Sequence, residues 1–380
     1  MSDMSYIHRS TEAMVRSTLA DSKIAILYGP RQVGKTTLAR YIAGSIDTNY
    51  RYWNCDEPDV ALSLSGKTST ELGRRVGTSG TIVIDEAQRV ENIGITLKLL
   101  ADTFPELRII ATGSSSFELA NAINEPLTGR AYYTTVWPLS ISEITDGNEL
   151  EAERIVNDLL VFGSYPVIAL RKTTDILQYL GNLTKNYLYR DLLSHGVIRS
   201  EDTLVRLLKL LALQIGGKIS LSSLARDLQI DVATVKRLVD LLEKAFIIHR
   251  LPSLTSNRRV GVRKSQKIYF TDLGVRNYLI GNMNSINLRT DTGALWENFC
   301  VNEIRKQRSA SATPVNSYFW RDYAGAEVDY IEERDGSLFP YEFKWGKASA
   351  RLPKAFQDNF QSDPLSVLSP KNMGCLVEKF

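Results

Sequence analysis

Gly29-Pro30-Arg31-Gln32-Val33-Gly34-Lys35-Thr36 sets two glycines, a lysine and a hydroxyl at the spacing that lets a backbone wrap a row of phosphates. Gly29 and Gly34 free the chain to turn, so that successive N–H groups converge on anionic oxygens at the start of a helix. Lys35 brings a point charge for the β and γ phosphates. Thr36, followed by Thr37, offers the hydroxyl expected on Mg²⁺. ATP with Mg²⁺ is therefore the expected ligand. A second group, Asp85-Glu86, ends a later apolar run; Asp85 is expected to reach Mg²⁺, directly or through water, and Glu86 to polarise a water that attacks the γ-phosphate. The bland alternative for the pair is an acidic turn after a strand.

Stepping outward to the elements, Lys23–Tyr28 predicts a buried parallel strand, and Thr36–Ala43 has helical spacing, so the glycine loop joins a strand to a helix. Thr81–Ile84 predicts another buried strand leading into Asp85. Leu107–Thr112 predicts a third, ending in Gly113-Ser114-Ser115-Ser116, so that small hydroxyls share the carboxyl edge of the same sheet. With its Walker B-like Asp85-Glu86, this order resembles the AAA+ superfamily. The resemblance implies that Thr112 or Ser114 senses the γ-phosphate, although a serine cluster also serves as a helix N-cap. It further makes Arg130, in Leu127-Thr128-Gly129-Arg130, a candidate arginine finger on a neighbouring subunit's ATP; a solvated or structural arginine is the competing reading.

From Pro138 to about residue 195 the apolar spacing turns helical, as in Glu151–Phe162 and Asp175–Leu193, which suits a helical lid. In the next stretch, Ser220–Leu228 and Val232–Leu242, the latter capped by Asp231, read as a helix-turn-helix. The trailing Phe246–Leu251 suggests a winged helix with a hairpin wing. Arg250, Arg258, Arg259, Arg263, Lys264 and Lys267 crowd that wing without an acid between them. With Lys236 and Arg237 they make DNA the expected partner. Many winged helices pack against proteins instead, and Asp240 and Glu243 dilute the charge of the second helix.

Towards the C-terminus, Gly293–Gln307 predicts a helix carrying Glu297. Two strands follow, Ala326–Ile331 and Leu338–Trp345, joined by the turn Arg334-Asp335-Gly336-Ser337. Alternation places Glu342 and Lys344 on one face, where Asp329 can meet them from the neighbouring strand. Two carboxylates and a lysine suit a second Mg²⁺ or a Mn²⁺ for phosphodiester hydrolysis. The constellation resembles the restriction-endonuclease-like (PD-(D/E)xK) fold, which implies Asp329, Glu342 and Lys344 as its core and Glu297 as an additional acid. Val328 stands where many such nucleases have proline. Alternating charge for solubility explains the same residues without chemistry.

The bulk numbers agree with a multidomain, water-soluble chain: 380 residues with 43% hydrophobic and 23% charged residues. Lys+Arg exceeds Asp+Glu by only 46 to 43, so the total charge does not argue for nucleic acid and its location must. Cys55, Cys300 and Cys375 have no metal-ligand spacing and fit a reducing compartment. With no apolar leader or span, a cytoplasmic protein without membrane contact is expected.

The expected fold is α/β: a P-loop core over 1–137, a helical lid over 138–199, a winged helix over 200–280 and a restriction-endonuclease-like domain over 290–380. The whole resembles prokaryotic AAA+ ATPases fused to a nuclease-like domain, which implies an ATPase coupling nucleotide state to DNA, with room for homo-oligomers. The alternatives are an NTP-dependent switch whose C-terminal modules bind protein without cleaving anything, and a nuclease whose ATPase regulates access.

Overall fold

The computed structural model describes residues 6–21, 24–113, 127–185, 200–255, 266–311, 314–346 and 349–378. The chain divides into two compact units, Met1–Pro138 with Ser309–Ser311, and Leu139–Arg308 with Ala312–Phe380.

In the first unit, Ile24–Tyr28 (β1), Arg51–Asn54 (β2), Gly80–Asp85 (β3), Leu107–Gly113 (β4) and Ala131–Thr135 (β5) form a parallel sheet ordered β2-β3-β4-β1-β5. Parallel strands need crossovers. The described helices Glu12–Ala20 (α1), Lys35–Ile46 (α2), Pro58–Leu64 (α3), Ser69–Val76 (α4) and Ile93–Thr103 (α5) lie in this unit. Strands covered on both faces read as unbroken apolar runs, which is why Ile82, Val83 and Ile84 are all fully buried. Burying each such side chain contributes about 1.5–3 kcal/mol. Leu27 pairs with Thr112 and Tyr28 with Gly113, while Ile84 pairs with Ala111. This register levels the carboxyl ends of β1, β3 and β4 along one edge. β5 ends at Thr135, although the Val136 N–H still reaches the Tyr28 carbonyl at 2.8 Å.

The second unit opens with the helices Ile141–Thr145 (α6), Glu149–Phe162 (α7), Pro166–Ala169 (α8) and Ile176–Leu183 (α9). α7 starts two residues before the expected Glu151 because Asn148 caps it, accepting from the Glu151 N–H at 3.1 Å. The later part of the expected 175–193 helix lies outside the described residues.

Next come Glu201–Leu213 (α10), Lys218–Ile219 (β6), Leu221–Leu228 (α11), Val232–Lys244 (α12), Ile248–Pro252 (β7) and Gln266–Phe270 (β8). The three strands pair antiparallel in the order β6-β8-β7. Asp231 caps α12 by accepting from the Thr234 N–H at 2.7 Å. Val235, Leu238, Val239 and Leu242 form its buried stripe, leaving Lys236 and Arg237 exposed on the other side.

Leu273–Leu279 (α13) leads to the long helix Thr292–Ser311 (α14). Asn316–Arg321 (β9), Glu327–Arg334 (β10), Ser337–Phe343 (β11) and Ser366–Leu368 (β12) make a sheet ordered β12-β11-β10-β9, in which only the β11–β12 pair is parallel. Asp335 and Gly336 turn the β10–β11 hairpin with φ of 49° and 82°, the two positive values that a two-residue hairpin turn requires. Val328, Ile331, Leu338 and Phe356 pack beneath this sheet. Asn298, fully buried on α14, accepts from the Phe270 N–H and donates to the Phe270 carbonyl, both at 2.8 Å, which fixes β8 against the helix.

Candidate functional site

The glycine loop leaves β1 and enters α2 as expected. Gly29 has φ +142°, and a Cβ there would lie 2.2 Å from the Val136 carbonyl oxygen, so only glycine fits. Gly34 has φ +95° and N-caps α2, while Gln32 takes the left-handed region with φ 61°. Pro30 and Val33 are buried, Arg31 and Thr36 are half-buried, and Gln32 and Thr37 face solvent. Arg9 clasps the loop from outside, donating to the Val33 carbonyl at 2.8 Å and to the Trp137 carbonyl at 2.5 Å.

Lys35 is only 6% exposed, and its ammonium folds back onto the Gly29 and Pro30 carbonyls at 3.0 and 2.7 Å. Burial pushes this ammonium down to about 8, with Glu86 and Asp85 opposing the shift.

Asp85, at the end of β3, is the hub. Thr36 donates its hydroxyl towards both carboxylate oxygens at 2.9 and 3.0 Å, and the Tyr52 hydroxyl donates to Oδ2 at 2.5 Å. The Thr112 hydroxyl donates to Oδ1 and also accepts from the Glu86 N–H at 3.1 Å, so one fully buried side chain touches both acidic residues. Glu86 adopts the left-handed region with φ 51°, and the Gln88 amide donates to its carboxylate at 2.5 Å. A non-glycine residue there stores strain of about 1–3 kcal/mol, a feature that gathers at functional sites.

Burial, then the hydrogen bond to Asp85, raise the Tyr52 phenol above its usual range. The Arg40 guanidinium lies 5.0 Å from that ring's centroid. The donors gathered around Asp85 are all oxygens, the hard ligands Mg²⁺ takes, and Thr36 and Asp85 already touch, so these residues fit the ion.

Thr112, one of the two sensor candidates, contacts Asp85 and the Glu86 N–H, whereas Ser114 lies outside the described residues. Arg130 sits at the opposite, amino-terminal edge of the sheet, where its carbonyl accepts from the Ile24 N–H at 2.9 Å. Its guanidinium holds Asp102 through contacts of 2.6 and 3.1 Å. Tyr52 and Arg9 carry no expectation from sequence. Tyr52 reaches Asp85 only through the β2–β3 register, in which it pairs with Val83 and Asn54 with Asp85.

In the second unit the crowded wing changes character. Arg258, Arg259, Arg263 and Lys264 lie outside the described residues. Arg250, expected among the phosphate-facing cations, instead binds Asp240 at 2.6 Å and also pairs with Glu243. Lys267 is 2% exposed and held by Glu297 and Glu327 at 2.7 and 2.5 Å. Two of the six expected wing cations are therefore neutralised within the fold.

The C-terminal residues do converge: Lys344 pairs with Glu342, the Phe343 N–H donates to Asp329 at 2.9 Å, and Glu297 faces them from α14. Burial raises Glu297 to about 7 against the pull of Lys267. Burial likewise raises Asp329 and Glu342. The residues do not fit the expected second metal. Among the described residues no group of three or more His, Cys, Asp or Glu side chains is arranged to hold an ion, and the Lys267 ammonium lies among these carboxylates.

Residues 21–145 match the AAA domain family, 153–286 a domain of unknown function (DUF8612), and 292–373 another (DUF4143). The chain is 30% identical over 339 residues to the uncharacterized protein Rv2008c of Mycobacterium tuberculosis, covering 88% of this chain and 73% of that protein. It is 27% identical over 306 residues to the uncharacterized protein MJ1637 of Methanocaldococcus jannaschii, covering 70% of this chain and 64% of that one. Among solved structures, the Walker-type ATPase PABY2304 of Pyrococcus abyssi aligns with 19% identity and TM-score 0.49, over 72% of this chain and 96% of its own. Among the described residues, no helix is long and apolar enough to cross a membrane.

Proposed function

We propose that this chain, which belongs to the family of Rv2008c and carries an AAA domain at 21–145, is a Mg²⁺-dependent ATP hydrolase. The observation that carries the reading is Asp85, which gathers Thr36 from the phosphate loop and Thr112 from the neighbouring strand. The loop N–H groups and Lys35 bind the triphosphate, the lysine exchanging its two loop carbonyls for phosphate oxygens. Thr36 and Asp85 would hold Mg²⁺, which would supply positive charge against the β and γ phosphates. Glu86 accepts the proton of the attacking water. Thr112, bonded to both acidic residues, relays a change at one to the other. Replacing Lys35 by alanine should abolish ATP turnover; undiminished turnover in that variant rules the reading out.

The finer reading makes residues 200–280 a winged helix that binds DNA. It rests on the order of helices and strands there and on the exposed Lys236 and Arg237 of α12, with Arg258, Arg259, Arg263 and Lys264 as further phosphate contacts. On this reading, nucleotide state governs the DNA contact and the nuclease-like domain over 290–380. Assembly into a homo-oligomer would let Arg130 act on a neighbour's nucleotide, after leaving Asp102.

A second reading, a nucleotide-dependent switch with a protein partner, draws on the internal pairing of Arg250 and Lys267. Fluorescence anisotropy with single-stranded, duplex and branched DNA at low salt separates the two. Binding weakened by substitution of Lys236 and Arg237 supports DNA, and no binding to any form supports the switch.

A further inference from the structure

Lys267 stands on β8, a strand of the three-stranded middle sheet, yet its ammonium is buried among carboxylates from later elements: Glu297 of α14 at 2.7 Å and Glu327 of β10 at 2.5 Å. Tyr269, two residues along the same strand and hence on the same face, donates to the same Glu297 oxygen at 2.7 Å. The neighbouring acids have partners too. The Phe343 N–H binds Asp329 at 2.9 Å, Lys344 pairs with Glu342, and Arg321 lies 3.4 Å from Glu327.

A divalent cation needs several oxygen lone pairs converging at about 2.0–2.6 Å. Here Lys267 and Tyr269 take one Glu297 oxygen, Lys267 and Arg321 pair with the two of Glu327, the Phe343 N–H and Lys344 take one each of Asp329 and Glu342, and a metal entering the same space would face the like charge of Lys267 with little water to screen it. Although burial works against that charge, Glu297, Asp329 and Glu327 together raise the ammonium above its usual range, so it stays protonated.

We infer that Lys267 is the resident cation of this acidic cluster, that it takes the place of a divalent metal, and that the C-terminal domain therefore does not hydrolyse phosphodiesters. The cluster instead fastens β8 to α14 and β10. The Asn298 bonds to Phe270, on the same strand and the same helix, act in the same direction. The positive charge among these carboxylates is supplied from within, by a lysine from a different part of the chain.

The test uses the full-length chain with Mn²⁺ as the probe, followed by electron paramagnetic resonance of the free ion. The wild type, Glu297→Gln and Asp329→Asn should titrate identically, since Mn²⁺ taken up elsewhere cancels in the comparison, and none should cleave single-stranded or duplex DNA. Lys267→Met should gain about one further equivalent of Mn²⁺ that a second substitution, Asp329→Asn, removes again. Loss of an equivalent from the wild type on substitution of Glu297 or Asp329 overturns the inference, as does Asp329-dependent cleavage. So does a folded Lys267→Met that gains no Mn²⁺. Should Lys267→Met fail to fold, the comparison of the wild type with the two carboxylate variants decides alone.

Discussion

Raising the pH from 7 to 9 should weaken nucleotide binding, because the nucleotide-free protein holds Lys35 near the point of losing its proton. Lys35 is 6% exposed, its ammonium donates to two loop carbonyls, and burial brings it down to about 8. Phosphate binds the charged form, so the competent fraction is nearly complete at pH 7 and falls as pH rises through about 8. Apparent affinity follows that fraction. Two pH units spanning the transition reduce it about tenfold, close to 1.4 kcal/mol, and each further unit reduces it about tenfold again. The assay is a titration of a fluorescent nucleotide without Mg²⁺ between pH 7 and 9.5. Lys35→Arg keeps its charge throughout, so its binding, though weaker, should not change with pH. A wild-type Kd that stays constant across this range would refute the reasoning, because the lysine would then be either fully solvated or uninvolved.

Three other outcomes follow from the geometry. Gly29→Ala places a Cβ 2.2 Å from the Val136 carbonyl oxygen, and displacing the loop should cost about 1–3 kcal/mol, read as a loss of nucleotide affinity of about 5- to 150-fold. Tyr52→Phe removes one of the hydroxyls on Asp85; loss of a hydrogen bond to a charged group, about 1.5–3 kcal/mol, should raise the Mg²⁺ concentration needed for half-maximal turnover with nucleotide affinity unchanged. If DNA is bound, Lys236→Ala and Arg237→Ala should each lower the slope of log affinity against log salt by about one, and an unchanged slope removes α12 from the interface.

What could be read from the sequence depended on how local the determinant was. The phosphate loop is a run of eight residues whose glycines and lysine state their purpose by spacing alone, and the capping of α12 by Asp231 is equally local. The β10–β11 turn was legible because Asp335 and Gly336 tolerate positive φ. Tyr52 was not legible, since its contact with Asp85 depends on β2 pairing with β3 across a gap in sequence filled by two helices. Lys267 misled for a related reason. A sequence displays charge but not its partner, and the same lysine that reads as a wing cation among arginines is buried against carboxylates thirty and sixty residues further on. Arg250 repeats the lesson at shorter range, with Asp240 and Glu243 one helix earlier. The position of Arg130 followed from strand direction, which puts the start of β5 at the edge away from the loop.

The central claim, that Asp85 and Glu86 turn a phosphate-binding loop into an ATP hydrolase, is tested most directly by steady-state turnover and ATP binding measured together on the wild type and Glu86→Gln. The wild type should release phosphate only with Mg²⁺. Glu86→Gln should bind MgATP as tightly while turning over about a hundredfold or more slowly, the range a general base contributes. Equal turnover in the two proteins would contradict the account.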